Sequence, residues 1–212
     1  MAGTVEFDGD PPLDTVVTPM SDAEVCGSTV LDGGVTHDGP RLAEAVVWLS
    51  GAGHGKPLPV VRRYDVVQAG CALIPRVQAA VAGGTLNVLS DDPVPHRTRL
   101  LRPETGELLA LVDETGAGQV VPIERVLGRA GVVELRCDRH PWSRAWIAVF
   151  GHPYFAVTAA DGLFRLDSVP PGRYAVRAWH PRFGSVGDSV TVVDGGLVSI
   201  VLRVPAAGRS EK

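Results

Sequence analysis

Long apolar runs are missing from this chain of 212 residues. No stretch approaches the roughly 20 residues that a membrane helix needs, so no membrane span is expected. The opening residues, Met1-Ala2-Gly3-Thr4, carry neither a basic region nor an apolar core, so no signal peptide is expected there. Positive charge is not in excess: 20 Lys and Arg against 24 Asp and Glu give a net charge of −4. That balance argues against nucleic acid or an anionic membrane as the main partner. Helical patterning is scarce too. No segment repeats apolar residues at helical spacing between caps, and only Ile123–Leu127 reads as a single helical turn. There is no nucleophile elbow, no phosphate-binding glycine loop and no carboxylate pair placed on one face. Asp91 and Asp92 stand before Pro93 and read as loop residues. Catalysis by the chain itself is therefore not expected.

Cysteine is also sparse. The three are Cys26, Cys71 and Cys137. In an exported protein an odd count suggests one disulfide and one thiol set apart. Cys26 would then pair with Cys71 and leave Cys137 free. In a cytosolic protein the same residues read as three reduced, buried thiols.

What the chain does have is 45% hydrophobic residues, 25 Gly and 17 Pro, scattered between short apolar runs. This is the composition of an all-β protein with many turns and a core of ordinary size. Val5-Glu6-Phe7 reads as a short strand, Ala43–Leu49 as a longer one. Short β runs follow at Leu58–Val61, Tyr64–Gln68, Gln78–Val81, Thr85–Ser90, Leu108–Val112 and Val120–Ile123. Further strands read at Phe155–Thr158, Leu163–Leu166 and Arg173–Trp179. Ser189–Val193 and Leu197–Val204 flank Asp194-Gly195-Gly196 as a final hairpin. Residues 205–212 are expected to be disordered.

Chemistry concentrates in Cys137-Asp138-Arg139-His140-Pro141-Trp142-Ser143. A strand, Gly131–Arg136, runs into this loop, and another, Arg144–Phe150, runs out. A thiol and an imidazole three residues apart on a tight loop can converge on one ion. Upstream, Val81-Ala82-Gly83-Gly84-Thr85-Leu86-Asn87-Val88 precedes a loop carrying Pro95-His96. Together, residues 64–150 resemble a cupredoxin of the plastocyanin and amicyanin kind. The resemblance implies a Greek-key β-sandwich in which His96, Cys137 and His140 are equatorial copper ligands. A thiolate with two neutral imidazoles suits copper in both oxidation states, and a weak axial ligand tunes the potential. Two positions depart from the family: Ser143 stands where it has an axial Met, and Arg97 follows His96 where it usually has Asn. A serine oxygen does not imitate a thioether, so the axial position is left to Ser143 or water. Zinc competes for such a set, since Cys-His-His with an oxygen also satisfies it.

The flanks resemble a carboxypeptidase regulatory-like domain, a transthyretin-like sandwich. Asp38-Gly39-Pro40 with Ala45–Leu49 looks like its opening motif. Thr158–Phe164 with Pro170-Pro171-Gly172-Arg173-Tyr174 looks like its closing one. The implied organisation is a cupredoxin-like domain at 59–150 inserted into a sandwich made of 1–58 plus 151–204. The alternative makes 151–204 an independent tail domain. The resemblance implies a periplasmic or secreted copper protein for electron transfer or copper handling, with a redox partner or a copper donor. The alternative function is a metal-free two-sandwich module for protein or carbohydrate contact.

Other residues carry two readings. Trp48, Trp146 and Trp179 could stack on sugar but as strand aromatics belong in a core. Trp142, on the ligand loop, reads as an exposed docking patch. Arg97, Arg99, Arg102, Arg136, Arg139 and Arg144 form either a basic pole for an acidic partner or scattered solvated charges. His152 is placed too far along its strand to ligate, about 30 Å from the loop. His180, His37 and His54 read as loop histidines.

Overall fold

The computed structural model describes residues 1–32, 34–52 and 55–206. His54 and the turn glycine Gly33 lie outside them, as do residues 207–212 of the expected disordered tail. Alternating side chains and frequent turn residues make strands almost the only regular structure among the described residues. In order these are β1 (Ala2–Asp8), β2 (Thr15–Val17), β3 (Val30–Asp32), β4 (His37–Asp38), β5 (Arg41–Leu42), β6 (Val46–Ser50) and β7 (Arg63–Ala69). Then come β8 (Ala72–Ile74), β9 (Val77–Val81), β10 (Gly84–Ser90), β11 (His96–Arg102), β12 (Glu107–Glu114), β13 (Gln119–Leu127) and β14 (Gly131–Cys137). The last are β15 (Arg144–Phe150), β16 (Phe155–Val157), β17 (Leu163–Arg165), β18 (Gly172–His180), β19 (Gly184–Val192) and β20 (Ser199–Pro205). One helical turn, α1 (Ala23–Cys26), lies between β2 and β3.

The chain divides into two compact units. Unit 1 comprises Met1–Leu13, Val35–Leu58 and the chain from His152; unit 2 comprises Asp14–Gly34 and Pro59–Gly151. In unit 1, β1 is central to one sheet: β20 runs parallel along it, and β17 and β5 pair antiparallel. The facing sheet has the order β16-β6-β18-β19. Val5, Phe7, Val47, Leu49, Val176, Ala178 and Leu202 from both sheets share one core.

In unit 2 the two sheets have orders β13-β10-β7-β8 and β12-β11-β14-β15-β9, and β2 pairs with β3 apart from them. The chain switches sheets after β8, β9, β10, β12 and β13, so both layers must assemble together. Leu86, Val88, Leu100, Val133, Leu135, Ala145 and Ile147 fill the space between them. Burial of side chains this size stabilises by about 1.5–3 kcal/mol each.

Five expectations are corrected. Residues 14–34 belong with unit 2 rather than with the flanking sandwich, because the Cys26–Cys71 disulfide and Asp22 tie them there. Leu58–Val61 is not a strand: Pro57 and Pro59 remove ladder donors on both sides, and Val60 is 97% exposed. Ile123–Leu127 is strand, not helix; a register shift against β10 and Arg125 at φ 66° bring Val126 and Leu127 inward together. Finally, β19 and β20 do not form a hairpin. β19 pairs with β18, whereas β20 crosses to the other sheet and joins β1. That strand continues through Pro205, so the tail's first residue is ordered in β20.

Candidate metal centre

Strand alternation brings two of the three donors to one end of unit 2, and a loop brings the third. On β11 the inward side chains are His96, Thr98, Leu100 and Arg102. On β14 they include Val133, Leu135 and Cys137. The register sets Leu100 opposite Leu135 and Thr98 opposite Cys137. Two inward rows thus climb from aliphatic to polar residues and end on His96 and Cys137. The loop between β14 and β15 then folds back. Ser143 N–H donates to His140 O at 2.8 Å and Cys137 N–H to Ser143 O at 3.1 Å. This closure turns His140 inward, where it is fully buried.

The donor atoms converge. Cys137 Sγ lies 3.7 Å from His96 Nδ1 and 3.6 Å from His140 Nδ1, and the two Nδ1 atoms are 3.1 Å apart. A point in the plane of this triangle is about 2 Å from all three atoms, close to the metal–nitrogen distance of a first-row ion. His96, Cys137 and His140 are all buried. Burial pulls the His96 imidazole below its ordinary range, and His140 adds to this, against the pull of Asp92. A neutral ring is the form that ligates. Burial holds the Cys137 thiol above its ordinary range, with the Glu114 charge adding to it. An ion must therefore displace a proton from sulfur to bind.

Each imidazole is backed by a carboxylate on its far nitrogen. His96 Nε2 meets Asp92 Oδ2 at 3.0 Å, and His140 Nε2 meets Asp22 Oδ2 at 3.2 Å. Such partners fix the tautomer and turn the other nitrogen's lone pair to the ion. Asp92 does more. It also accepts from Gly70 N–H at 2.7 Å and Cys71 N–H at 2.8 Å. That pins the β7–β8 turn, where Cys71 takes a left-handed φ of 59° that costs a non-glycine residue about 1–2 kcal/mol. Burial pushes the Asp22 carboxyl up, but the His140 hydrogen bond and Arg139 outweigh it and leave it low. Asp22 immediately precedes α1, whose last residue Cys26 is disulfide-bonded to Cys71. Trp142 Nε1–H donates to Cys71 O at 3.0 Å, with its ring 5.3 Å from that of His140. The disulfide therefore lies against the centre, and Cys26, Cys71 and His140 have donor atoms within 4.8 Å of one another.

Ser143 is buried, and its hydroxyl donates to Gln68 Oε1 at 3.2 Å. Gln68 Nε2 donates to Thr98 Oγ1 at 3.3 Å, and Thr98 Oγ1 donates to Glu114 Oε1 at 3.3 Å. Burial raises the Glu114 carboxyl to about 7, with the Thr98 hydrogen bond opposing. Sequence reasoning missed Asp22, Asp92, Gln68, Thr98 and Glu114. Only Asp92 leaves a local trace, four residues before His96.

The remaining candidates fall elsewhere. Trp142 is half-buried rather than openly exposed, because its indole N–H is held by Cys71. Trp48, Trp146 and Trp179 are half-buried on their strands. Arg97, Arg99, Arg136 and Arg139 pair with Asp113, Asp138, Glu134 and Asp22. Arg102 is buried and bonds backbone carbonyls of Val132 and Arg129. These five are therefore not a bare basic pole, while Arg144 is exposed and donates to Pro141 O at 3.1 Å. His152 accepts from Tyr154 N–H in unit 1. His180 is no loop residue: it ends β18, is fully buried, and stacks on Phe183 at 4.9 Å. His37 is exposed.

No family model matches the sequence, and no curated protein matches it. Solved structures do. A copper-containing nitrite reductase from Thermus scotoductus is 21% identical over 49% of this chain, with a TM-score of 0.37; the match spans only 24% of that protein. A purple cupredoxin from Nitrosopumilus maritimus is 20% identical over 41% of this chain and 99% of its own, with a TM-score of 0.33. Amicyanin from Paracoccus versutus is 17% identical over 49% of this chain and 97% of its own, with a TM-score of 0.35. Among the described residues no helix is long and apolar enough to cross a membrane.

Proposed function

We propose that unit 2 is a cupredoxin-like domain that binds one copper ion through His96, Cys137 and His140, with Ser143 or water as the axial neighbour. The observation that carries this reading is the convergence of one sulfur and two carboxylate-backed imidazole nitrogens on a buried point about 2 Å from each. Bound copper supplies one-electron redox chemistry held by a fixed ligand set. The chain's part is to aim the imidazoles, to supply the thiolate, and to exclude water. The role that follows is electron transfer or copper handling outside the cytoplasm, with a redox or copper-donor protein as partner and no catalysis by the chain itself. A serine in place of a thioether favours copper handling. The extracytoplasmic assignment draws support from the Cys26–Cys71 disulfide. For unit 1, the carboxypeptidase regulatory-like assignment rests on its motifs, one of which includes the tight turn at Gly162, φ 72°.

The test is a Cu(II) titration of the disulfide-intact protein, read by visible absorption and EPR, with Cys137→Ala beside it. The expected result is an intense thiolate-to-copper band at one equivalent, absent from the variant. Weak colour unchanged by the variant would mean adventitious binding and leave a metal-free two-sandwich module. A silent spectrum with one tightly held zinc would make this a zinc site.

A further inference from the structure

The Cys26–Cys71 disulfide could have closed the 14–34 segment anywhere along the surface of unit 2. Instead both sulfurs lie within 4.8 Å of a ring nitrogen of His140, and all three residues are buried. His140 therefore belongs to two donor groups at once. On one side are His96 and Cys137; on the other are Cys26 and Cys71. The surroundings of the second group are organised as well. Asp22 holds His140 Nε2, and Asp92 and Trp142 hold the backbone of Cys71. A disulfide sulfur is a poor ligand, but two thiolates with one imidazole make a soft donor set suited to Cu(I).

We propose that reducing the Cys26–Cys71 disulfide creates a second Cu(I) site, made of the two released thiolates and His140. The step is a thiol–disulfide exchange with an external dithiol. The dithiol's thiolate attacks one sulfur, the Cys26–Cys71 bond breaks, and a mixed disulfide forms. The dithiol's second sulfur resolves it, leaving two protein thiols and an oxidised reductant, with two electrons and two protons transferred. Cu(I) then displaces the two thiol protons and is itself neither oxidised nor reduced. Little rearrangement is needed, because the sulfurs have only to part from bonding distance to the separation of two ligands on one ion. A reductant reaches Cys26 first, since Gly27, Ser28 and Thr29 after it are exposed. The site does not require the first centre to be loaded. Because Asp22 holds His140 Nε2, the histidine offers this site its Nδ1, the atom that faces the first centre, so the two sites compete for one ring nitrogen.

The test uses Cys137→Ser, which removes the first centre's thiolate and leaves the new donors. The full-length variant is prepared with the disulfide intact and, separately, reduced by a dithiol that is then removed without oxygen. Each form is titrated with Cu(I) against a competing chelator. The expected result is one tightly held Cu(I) in the reduced form and none in the oxidised form. Adding His140→Ala should weaken that binding by about tenfold or more, since even partners outside the ligand shell are worth about 10–100-fold. Equal binding by the two forms overturns the proposal. So does a reduced form whose affinity ignores His140→Ala, which would be two independent thiols holding copper. Failure of the first centre is read separately, from the Cu(II) spectrum of the oxidised wild-type protein.

Discussion

Asp22 and Asp92 hold His140 and His96 from behind, yet the two differ in what else they hold. Asp22 touches His140 and Arg139, whereas Asp92 also takes two backbone N–H groups of the Cys71 turn. Asp22→Asn should weaken metal binding by about 10–100-fold. Asp92→Asn should cost at least as much and also lower stability, because an amide cannot accept all three bonds. Competition titration beside urea unfolding separates the two effects. An Asp92→Asn protein of wild-type stability would remove the proposed coupling of turn and ligand. Glu114 gives a pH signature in the metal-free protein. Its carboxyl is raised from the ordinary 4.5 to about 7. Between these values the folded protein keeps a proton that the unfolded chain has lost. This group's contribution to stability is therefore full below about pH 4.5 and is lost as pH rises through about 7. The size is on the order of 2 kcal/mol after allowance for screening. Glu114→Gln should flatten the slope of unfolding free energy across that window, and a slope unchanged in the variant would locate it elsewhere.

At the level of elements, the 14–34 segment is the feature with most consequence for the site. It brings Asp22 to His140 and is closed by a disulfide spanning 45 residues. Cys26→Ser with Cys71→Ser should cost about 2–4 kcal/mol of stability. It should also speed transfer of copper to a chelator, since the chain around Asp22 is then free to open. Stopped-flow transfer from both proteins checks this; equal rates would mean the segment does not guard the ion. This role was not legible in the sequence. Asp22 and His140 are 118 residues apart, and β2 and β3 are three residues each, too short for a pattern. What was legible was local: β14, its loop and β15 combine apolar strand runs with a Cys-x-x-His spacing, so chemistry and geometry share one stretch. The turn at Asp194-Gly195-Gly196 marks the other limit. Its residues announce a reversal of the chain, but which sheet the next strand joins is decided by an open edge on β1. Leu135→Ala tests the apolar rows beneath the ligands. A loss of about 2–5 kcal/mol is expected for a fully buried leucine, with the copper spectrum retained if the register of β14 and β11 alone aims Cys137.

For the whole molecule, two separate cores predict two unfolding events. The proposed copper ligands all belong to unit 2, so saturating copper should raise one calorimetric transition and leave the other in place. At a hundredfold excess over its dissociation constant the ion adds about 2.7 kcal/mol to the unit that holds it. A single transition moving as a whole would contradict this. Thiol counting is a second global check: the denatured, unreduced protein should show one reactive thiol, Cys137, and three after reduction. The parallel pairing of β1 with β20 also sets an order of birth. All of unit 2 has been synthesised by Gly151, but β1 must wait for residues 199–205. At about 5–20 residues per second, that leaves β1 an open edge for roughly ten to forty seconds. In about the last third of that interval the ligand loop is already made, and the strand that is still exposed belongs to the other unit. A chaperone or export factor that protects this protein in its first minute would therefore be expected to act on β1, well away in sequence from His96, Cys137 and His140.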